Sequence, residues 1–141
     1  MNNDYKALEL IEIAKRVVEE AEANAEQNPT SNEIQIVIVE PDKKPYKAII
    51  NNGLDAFQKI VCGYIENVFI GRTKTGARLA IVLNEEGKLE QLPFNRHILG
   101  FDTLVGTFFI TAYNLEGDNI SLTDEEVKKY IRLFSPMEVY L

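Results

Sequence analysis

The 141-residue sequence is poor in the side chains on which most metal sites and disulfide frameworks depend. It has one cysteine and one histidine, so an internal disulfide and a four-ligand zinc site are both excluded. No stretch approaches the ~20 apolar residues that cross a bilayer. The first residues, Met-Asn-Asn-Asp, lack the basic start and apolar run of a secretory signal. We therefore expect a cytoplasmic protein with no membrane contact and no metal or other cofactor.

Acidic side chains outnumber basic ones along the chain. The 22 acidic and 15 basic residues give a formal net charge of −7. Such a surface repels phosphate, so general nucleic-acid binding is not expected. Hydrophobic residues make up 45% of the sequence, which is enough to form the core of one domain and excludes disorder throughout.

The first 27 residues differ from the rest of the chain in the spacing of their apolar residues and in their composition. Alanine and aliphatic residues recur at spacings of three and four over residues 4–27, which predicts one long amphipathic helix. Residues 1–27 hold seven acids and three bases, so they carry −4 of the net charge. The narrow apolar stripe suits weak packing on the chain's own domain, or pairing with a partner protein or a second copy. We expect a homo-oligomer that is partly built on this helix. A polar linker over 28–33 separates it from a single α+β domain over 34–141.

In residues 34–141, apolar and polar side chains alternate as in strands. Two segments instead repeat their apolar residues every three or four positions, as in helices. Predicted strands cover 34–40, 46–50, 64–70, 78–84, 88–92, 106–113 and a short stretch within 137–141. One predicted helix begins at the cap Asn52 and runs to Cys62, where Gly63 ends it. Another begins with a capping box of Thr123 and Glu126. Short connections favour antiparallel pairing. The expected fold is therefore α+β, a mixed, mainly antiparallel sheet with helices packed on one face, plus the long N-terminal helix.

The loop over 71–78 is the first candidate for binding an anion. Its two glycines have the spacing of a phosphate-binding loop, but Ala-Arg follows where that motif needs Lys and then Ser or Thr. The match therefore fails, and three bases remain with no acid among them: Arg72, Lys74 and Arg78. Arginine presents a rigid donor fork that suits phosphate or carboxylate.

Arg96 forms a second basic spot, directly after Asn95. Together with the 72–78 loop it could hold a nucleotide-like ligand, and the aromatic face for a base could come from Tyr46, Tyr64, Phe94 or Tyr113. The alternative is that Arg96 pairs with Glu66 or Glu90.

Nucleophilic catalysis is not expected. Cys62 and His97 would form a thiolate pair only if the fold brought them together. Cys62 lies in an apolar helical stretch, where a buried and inert thiol is usual. The three serines stand outside the Gly-x-Ser-x-Gly pattern of hydrolases.

A series of short motifs, in a fixed order, carries a family resemblance. They are Val39-Glu40-Pro41 with Lys44-Pro45, residues 54–58, Val61-Cys62-Gly63-Tyr64-Ile65-Glu66, Asn84-Glu85-Glu86-Gly87-Lys88-Leu89, Leu92-Pro93-Phe94-Asn95-Arg96, Gly106-Thr107-Phe108 and Ser121-Leu122-Thr123-Asp124-Glu125-Glu126. From Ile34 to Phe134 the chain resembles an uncharacterised domain-of-unknown-function family of bacteriophages and mobile elements of Gram-positive bacteria. Cys62 departs from its pattern, since such proteins tend to have a second glycine there.

The resemblance implies a small accessory protein that acts in the cytosol of a bacterial host. Its polar motif residues are site candidates: Tyr64, Glu66, Asn84, Glu85, Asn95 and Arg96. The leading hypothesis is a non-catalytic binding module that occupies a host protein or sequesters a small anionic ligand, with a counter-defence role. The alternatives are a binder of a nucleotide-like signalling molecule, an acidic DNA mimic and an enzyme of unknown reaction.

A chain shortened to residues 30–141 is expected to unfold in one cooperative thermal transition, because the predicted core begins at Ile34. Circular dichroism measures this transition. If the shortened chain is soluble only when residues 1–27 are restored, the N-terminal helix belongs to the core and the predicted boundary is misplaced.

Overall fold

The computed structural model of the protein describes residues 32–141, so the predicted helix 4–27 lies outside the described residues. Within them, strand residues make up 43% and helix residues 17%. The elements in chain order are β1 (Glu33–Val39), β2 (Tyr46–Asn51), α1 (Leu54–Val61), β3 (Ile65–Arg72), β4 (Arg78–Asn84), β5 (Phe94–Ile98), β6 (Asp102–Val105), β7 (Phe108–Tyr113), β8 (Asn119–Ile120), α2 (Asp124–Phe134) and β9 (Glu138–Val139).

The strands form two sheets. The larger one has the order β2-β1-β7-β4-β3, with β8 paired to β7, and its neighbouring strands are antiparallel. The smaller sheet has the order β6-β5-β9, in which β5 and β9 run parallel. Strand β7 lies between β1 and β4, so the middle of the larger sheet is built from segments far apart in sequence.

Helices cover both faces of the larger sheet. On β1, Ile36 faces the apolar cluster that contains Phe57 of α1. Val37, one residue later, faces the cluster that contains Phe134 of α2. Because a strand places successive side chains on opposite faces, the continuous apolar run Ile36–Val39 needs a cover on each side.

The predicted fold class is therefore wrong for the described residues in its share of helix and in packing the helices on one face of the sheet, whereas the predicted helix 4–27 lies outside them. They are mostly β-sheet, with two short helices of 8 and 11 residues. The predicted strand 88–92 is a series of turns, since the amide of Leu92 donates to the carbonyl of Gly87 at 2.9 Å. The hairpin of β5 and β6 went unpredicted because its exposed apolar residues, Leu99 and Phe101 among them, obscure the alternation.

The capping box at the start of α2 is confirmed. The Thr123 amide donates to Glu126 Oε1 at 2.8 Å, and the Glu126 amide donates to Thr123 Oγ1 at 3.1 Å. These two bonds satisfy amides that a helix start otherwise leaves unpaired. Neither α1 nor α2 has the length and apolar content needed to cross a bilayer, and no other helix lies within residues 32–141.

Helix α1 begins and ends differently from the prediction. Its N-cap is Gly53, and the predicted cap Asn52 instead donates its side-chain amide to the carbonyl of Asn119 at 3.1 Å. At the other end, Cys62 takes the left-handed conformation (φ 62°, ψ 39°) that favours glycine, whereas the sequence predicts that Gly63 ends the helix. Gly63 is needed for another reason, because a Cβ atom there would lie 2.6 Å from Nδ2 of Asn84.

Replacing Cys62 by glycine is expected to stabilise the protein by about 0.5–1 kcal/mol, since glycine enters the left-handed region without the penalty of a Cβ atom. Urea unfolding measures the change. Cys62→Ala is the matched control, because it removes the thiol and keeps the Cβ atom. Equal stability of the two variants would contradict strain at this helix end.

Candidate functional site

A cleft of about 650 Å³ lies between the loop that joins β3 to β4 and one side of α2. The apolar side chains that line it are Leu79, Ala112, Ile120 and Tyr130. The basic residues that line it are Arg72, Lys74, Lys128, Lys129 and Arg132. Two of these bases, Arg72 and Lys74, are among the site residues predicted from the sequence. The three on α2 went unpredicted.

Helix geometry brings the α2 bases to one side of the cleft. Val127, Tyr130 and Phe134 are the buried residues of the helix. Lys128 and Arg132 are four residues apart and therefore lie on one exposed face. The signal that could have revealed this face is the run of bases within a helix whose apolar stripe is clear from the sequence.

Local hydrogen bonds fix the shape of the loop on the other side. The Thr73 amide donates to the carbonyl of Ala77 at 2.8 Å, and the Ala77 amide donates to Thr73 Oγ1 at 3.1 Å. Gly76 has a φ of 90°, which only glycine adopts without strain. Arg72 Nη1 donates to the carbonyl of Gly76 at 3.1 Å, which holds this guanidinium at the end of the loop.

The cleft is basic in an acidic chain. Two acids, Glu125 and Glu126, line it together with the five bases, which leaves an excess of three positive charges. Glu126 is engaged in the capping box. Glu125 lies 3.9 Å from Lys74 with both side chains highly exposed, an arrangement that contributes little stability. An anionic ligand can therefore replace that contact.

Arg78 is not among the residues that line the cleft. Its guanidinium carbon lies 4.7 Å from the centre of the Phe69 ring, on the face of the larger sheet that carries α1. Arg78 is nevertheless the register partner of Arg72 across β3 and β4.

Arg96 lies in the interior, out of reach of a ligand in the cleft. Its side chain is 0% exposed. Nε donates to the carbonyl of Phe134 at 2.7 Å, and Nη2 donates to the carbonyl of Lys43 at 2.7 Å. Nη1 donates to the carbonyl and side-chain oxygens of Asn95 at 3.0 and 2.9 Å. Neither predicted partner, Glu66 nor Glu90, forms a salt bridge with Arg96.

Burial lowers the pKa of the Arg96 guanidinium, and the negative charge of Asp42 opposes that shift. The arginine still carries its charge at neutral pH, because its ordinary pKa is so high. Hydrogen bonds to backbone carbonyls are therefore the main interactions that stabilise the buried charge. One of them, that of Phe134, belongs to the last turn of α2, where helix carbonyls lack internal partners.

Asn95 has a similar structural role. It is 0% exposed, and Nδ2 donates to the carbonyls of Val39 and Gly106, both at 2.8 Å. The Val39 carbonyl belongs to the last residue of β1, and the Gly106 carbonyl lies two residues before β7. The pair Asn95–Arg96 thus joins the smaller sheet to the larger one, and its polar atoms are used within the fold.

The remaining candidates lie near the end of α1. Asn84 is buried and donates through Nδ2 to the carbonyls of Val61 and Cys62, at 3.2 and 3.3 Å, so it caps this helix end. Glu85 is exposed, and its amide donates to the carbonyl of Tyr64 at 2.9 Å. Tyr64 and Glu66 are exposed as well. The structure therefore does not bring Tyr64, Glu66, Asn84 or Glu85 together with the basic cleft.

Cys62 and His97 do not contact each other. Cys62 Sγ lies 3.8 Å from the carbonyl of Lys59, whereas His97 Nδ1 shares a hydrogen bond of 2.8 Å with Thr103 Oγ1 on β6. Over the described range 32–141, no three His, Cys, Asp or Glu side chains are grouped as a metal site.

Residues 34–135 match the family model of a domain of unknown function. The match covers more than half of the 141 residues, which defines the chain as a member of that family. The family is DUF3846, and the resemblance to a domain-of-unknown-function family is confirmed. Comparison with curated proteins and with solved structures found no similar protein.

Replacing Arg96 by methionine is expected to destabilise the fold by about 3–5 kcal/mol, because the carbonyls of Phe134 and Lys43 would stay buried without a donor. Urea unfolding checks this. Arg132→Met removes the same group from an exposed position and should change stability by less than about 1 kcal/mol. A small and equal effect of both changes would contradict the structural role of Arg96.

Proposed function

We propose that the chain is a non-catalytic binding module that sequesters a small anionic ligand in the basic cleft. The observation that carries the proposal is the convergence of Arg72, Lys74, Lys128, Lys129 and Arg132 on one cleft in a chain of net charge −7. Bases spread evenly over an acidic surface would be screened by neighbouring carboxylates. Bases gathered in a concave site concentrate their field where a ligand enters.

Phosphate is the anion that this lining suits best. Guanidinium and ammonium groups donate charge-assisted hydrogen bonds to phosphate oxygens. The hydroxyls of Thr73, Thr75 and Ser121 also line the cleft and add neutral donors. The volume of about 650 Å³ falls in the range of ordinary small-molecule sites. A ligand with several phosphates would contact the loop and α2 at once.

The same proposal includes the setting that the family resemblance implies. The protein is an accessory protein of a phage or mobile element, and it acts in the cytosol of a bacterial host. Sequestering a small anion requires a binding site but no catalysed reaction. A binding module of this size fits that role better than occupation of a host protein, because the concave basic site is the feature that the described residues offer.

Inorganic triphosphate is the probe that tests the proposal. Isothermal titration should show one site per chain, with an affinity that falls as salt rises. The double change Lys128→Gln and Arg132→Gln should weaken binding at least tenfold, about 1.4 kcal/mol. The triphosphate should be recovered intact, and release of phosphate would contradict the non-catalytic role.

The matched control is the double change Lys47→Gln and Lys59→Gln. It removes the same charge from exposed positions on β2 and α1, outside the cleft lining. Binding by this control within twofold of the unchanged protein supports a local site. Equal weakening by both double changes, or no binding by the unchanged protein, would overturn the proposal.

A further inference from the structure

We infer that, before a ligand binds, the basic cleft is occupied by residues 1–27 of the same chain, called the acidic segment below. The inference rests on the proposed function, because it takes the basic cleft as the anion site. It adds an internal competitor, which an anionic ligand has to displace.

The described chain begins beside the cleft. Strand β1 starts one residue after Asn32, the first described residue. The amide of Gln35, the third residue of β1, donates to Ser121 Oγ at 2.9 Å, and Ser121 lines the cleft. Gln35 Nε2 donates to the carbonyl of Leu122 at 2.9 Å, directly before the lining residue Thr123. Because a strand rises about 3.4 Å per residue, Asn32 lies only about 10 Å along the chain from this contact.

Strand directions put this starting point at the end of the larger sheet where the cleft lies. Strands β1 and β4 both pair antiparallel with β7, so they run in the same direction. Both therefore begin at the end of the sheet where β7 finishes. The loop that forms one side of the cleft leads directly into β4. Asn32 and this loop consequently share one end of the sheet.

The linker and the acidic segment are long enough to reach and cover the cleft. Residues 28–31 join the segment to Asn32, and four extended residues span up to about 14 Å. The helix predicted for residues 4–27 would be about 36 Å long, whereas the 11-residue helix α2 is about 16 Å long. A group held on so short a tether has an effective concentration in the millimolar range, so a weak contact is enough for it to bind.

The acidic segment and the cleft have opposite charge. The segment holds seven acids and three bases, whereas the cleft is lined by five bases and two acids. Residues 17–27, which adjoin the linker, hold four acids and no base. Carboxylates already suit the cleft lysines, since Lys74 lies 3.9 Å from Glu125. The part of the segment nearest to the fold in sequence therefore complements the excess of positive charge in the cleft.

A carboxylate competitor favours ligands of high charge density. Each glutamate of the acidic segment brings one negative charge, whereas a triphosphate brings several charges on one compact group. A ligand that must displace the segment binds with an affinity reduced by the fraction of molecules whose cleft is open. The segment would thereby exclude singly charged anions from the cleft and leave it to polyphosphates.

Removing charge from the acidic segment should strengthen triphosphate binding by the full chain. The variant replaces three of its carboxylates by amides: Glu19→Gln, Glu22→Gln and Glu26→Gln. Glutamine and glutamate have similar helix propensities, so the change acts through charge. Isothermal titration should show about fivefold tighter binding, which is the gain expected if the segment occupies the cleft in about four-fifths of the molecules.

The matched control removes three carboxylates from exposed positions outside the cleft lining: Glu86→Gln, Glu116→Gln and Glu138→Gln. It changes the net charge of the chain by the same amount as the segment variant. The control should bind triphosphate within twofold of the unchanged protein. Equal gains in the two variants would show a general effect of net charge and overturn the inference.

Carbodiimide cross-linking tests the contact itself, because it joins a carboxylate to an amine that touches it. Mass spectrometry of the unchanged chain should find the acidic segment joined to Lys74, Lys128 or Lys129, and excess triphosphate should remove these products. In a mixture of chains labelled with light and heavy nitrogen, each product should carry one label. Products that carry both labels would assign the cleft to the segment of a second copy and overturn occupation by the same chain.

The titrations separate this inference from the proposed function. Absence of triphosphate binding would overturn the proposed function. Triphosphate binding of equal strength in the unchanged chain and in the segment variant would overturn the inference and leave the phosphate cleft standing. Failure to find any product between the segment and the three lysines would also contradict the inference.

Discussion

The buried guanidinium of Arg96 determines how the two sheets and the second helix are held together. Each of its nitrogens donates to an oxygen from a different part of the chain or to its neighbour Asn95. Removing a charge from water is costly, so the group is stable there only while these acceptors surround it. The end of α2, the turn at Lys43 and strand β5 must therefore adopt their native positions together. Asn95 extends the same constraint to the ends of β1 and β7.

That constraint also explains where the candidate site lies. Helix α2 is fixed at its C-terminal end by Arg96, and at its start by the capping box of Thr123 and Glu126. Between these ends its buried side chains pack on one face of the larger sheet. The exposed bases of the helix are consequently held opposite the β3–β4 loop. The β3–β4 loop and α2 form the two sides of the cleft, and each is held by hydrogen bonds. Rigid elements position polar groups well for a ligand.

Sequence patterns predicted the local features and missed the ones that depend on distant partners. The alternation in β1 and the capping box of α2 are properties of a few neighbouring residues, and both are present in the structure. Arginine is a common residue type in anion-binding sites, so the sequence favours a binding role for Arg96. Only its distant carbonyl partners show that it belongs to the core. The basic cleft likewise combines a loop and a helix some fifty residues apart, a proximity that no local period reveals.

The dependence of Arg96 on later residues has a consequence for the order of folding during synthesis. Its acceptor at Phe134 follows it by 38 residues, and the amides of His97 and Leu99 pair with carbonyls at Met137 and Val139. When β1 to β7 have emerged from the ribosome and α2 has not, the charged side chain of Arg96 has only some of its hydrogen-bond acceptors. We therefore expect the interior to close only after strand β9 has emerged from the ribosome. Until then, the apolar inner face of the larger sheet stays open to chaperones and proteases of the cell.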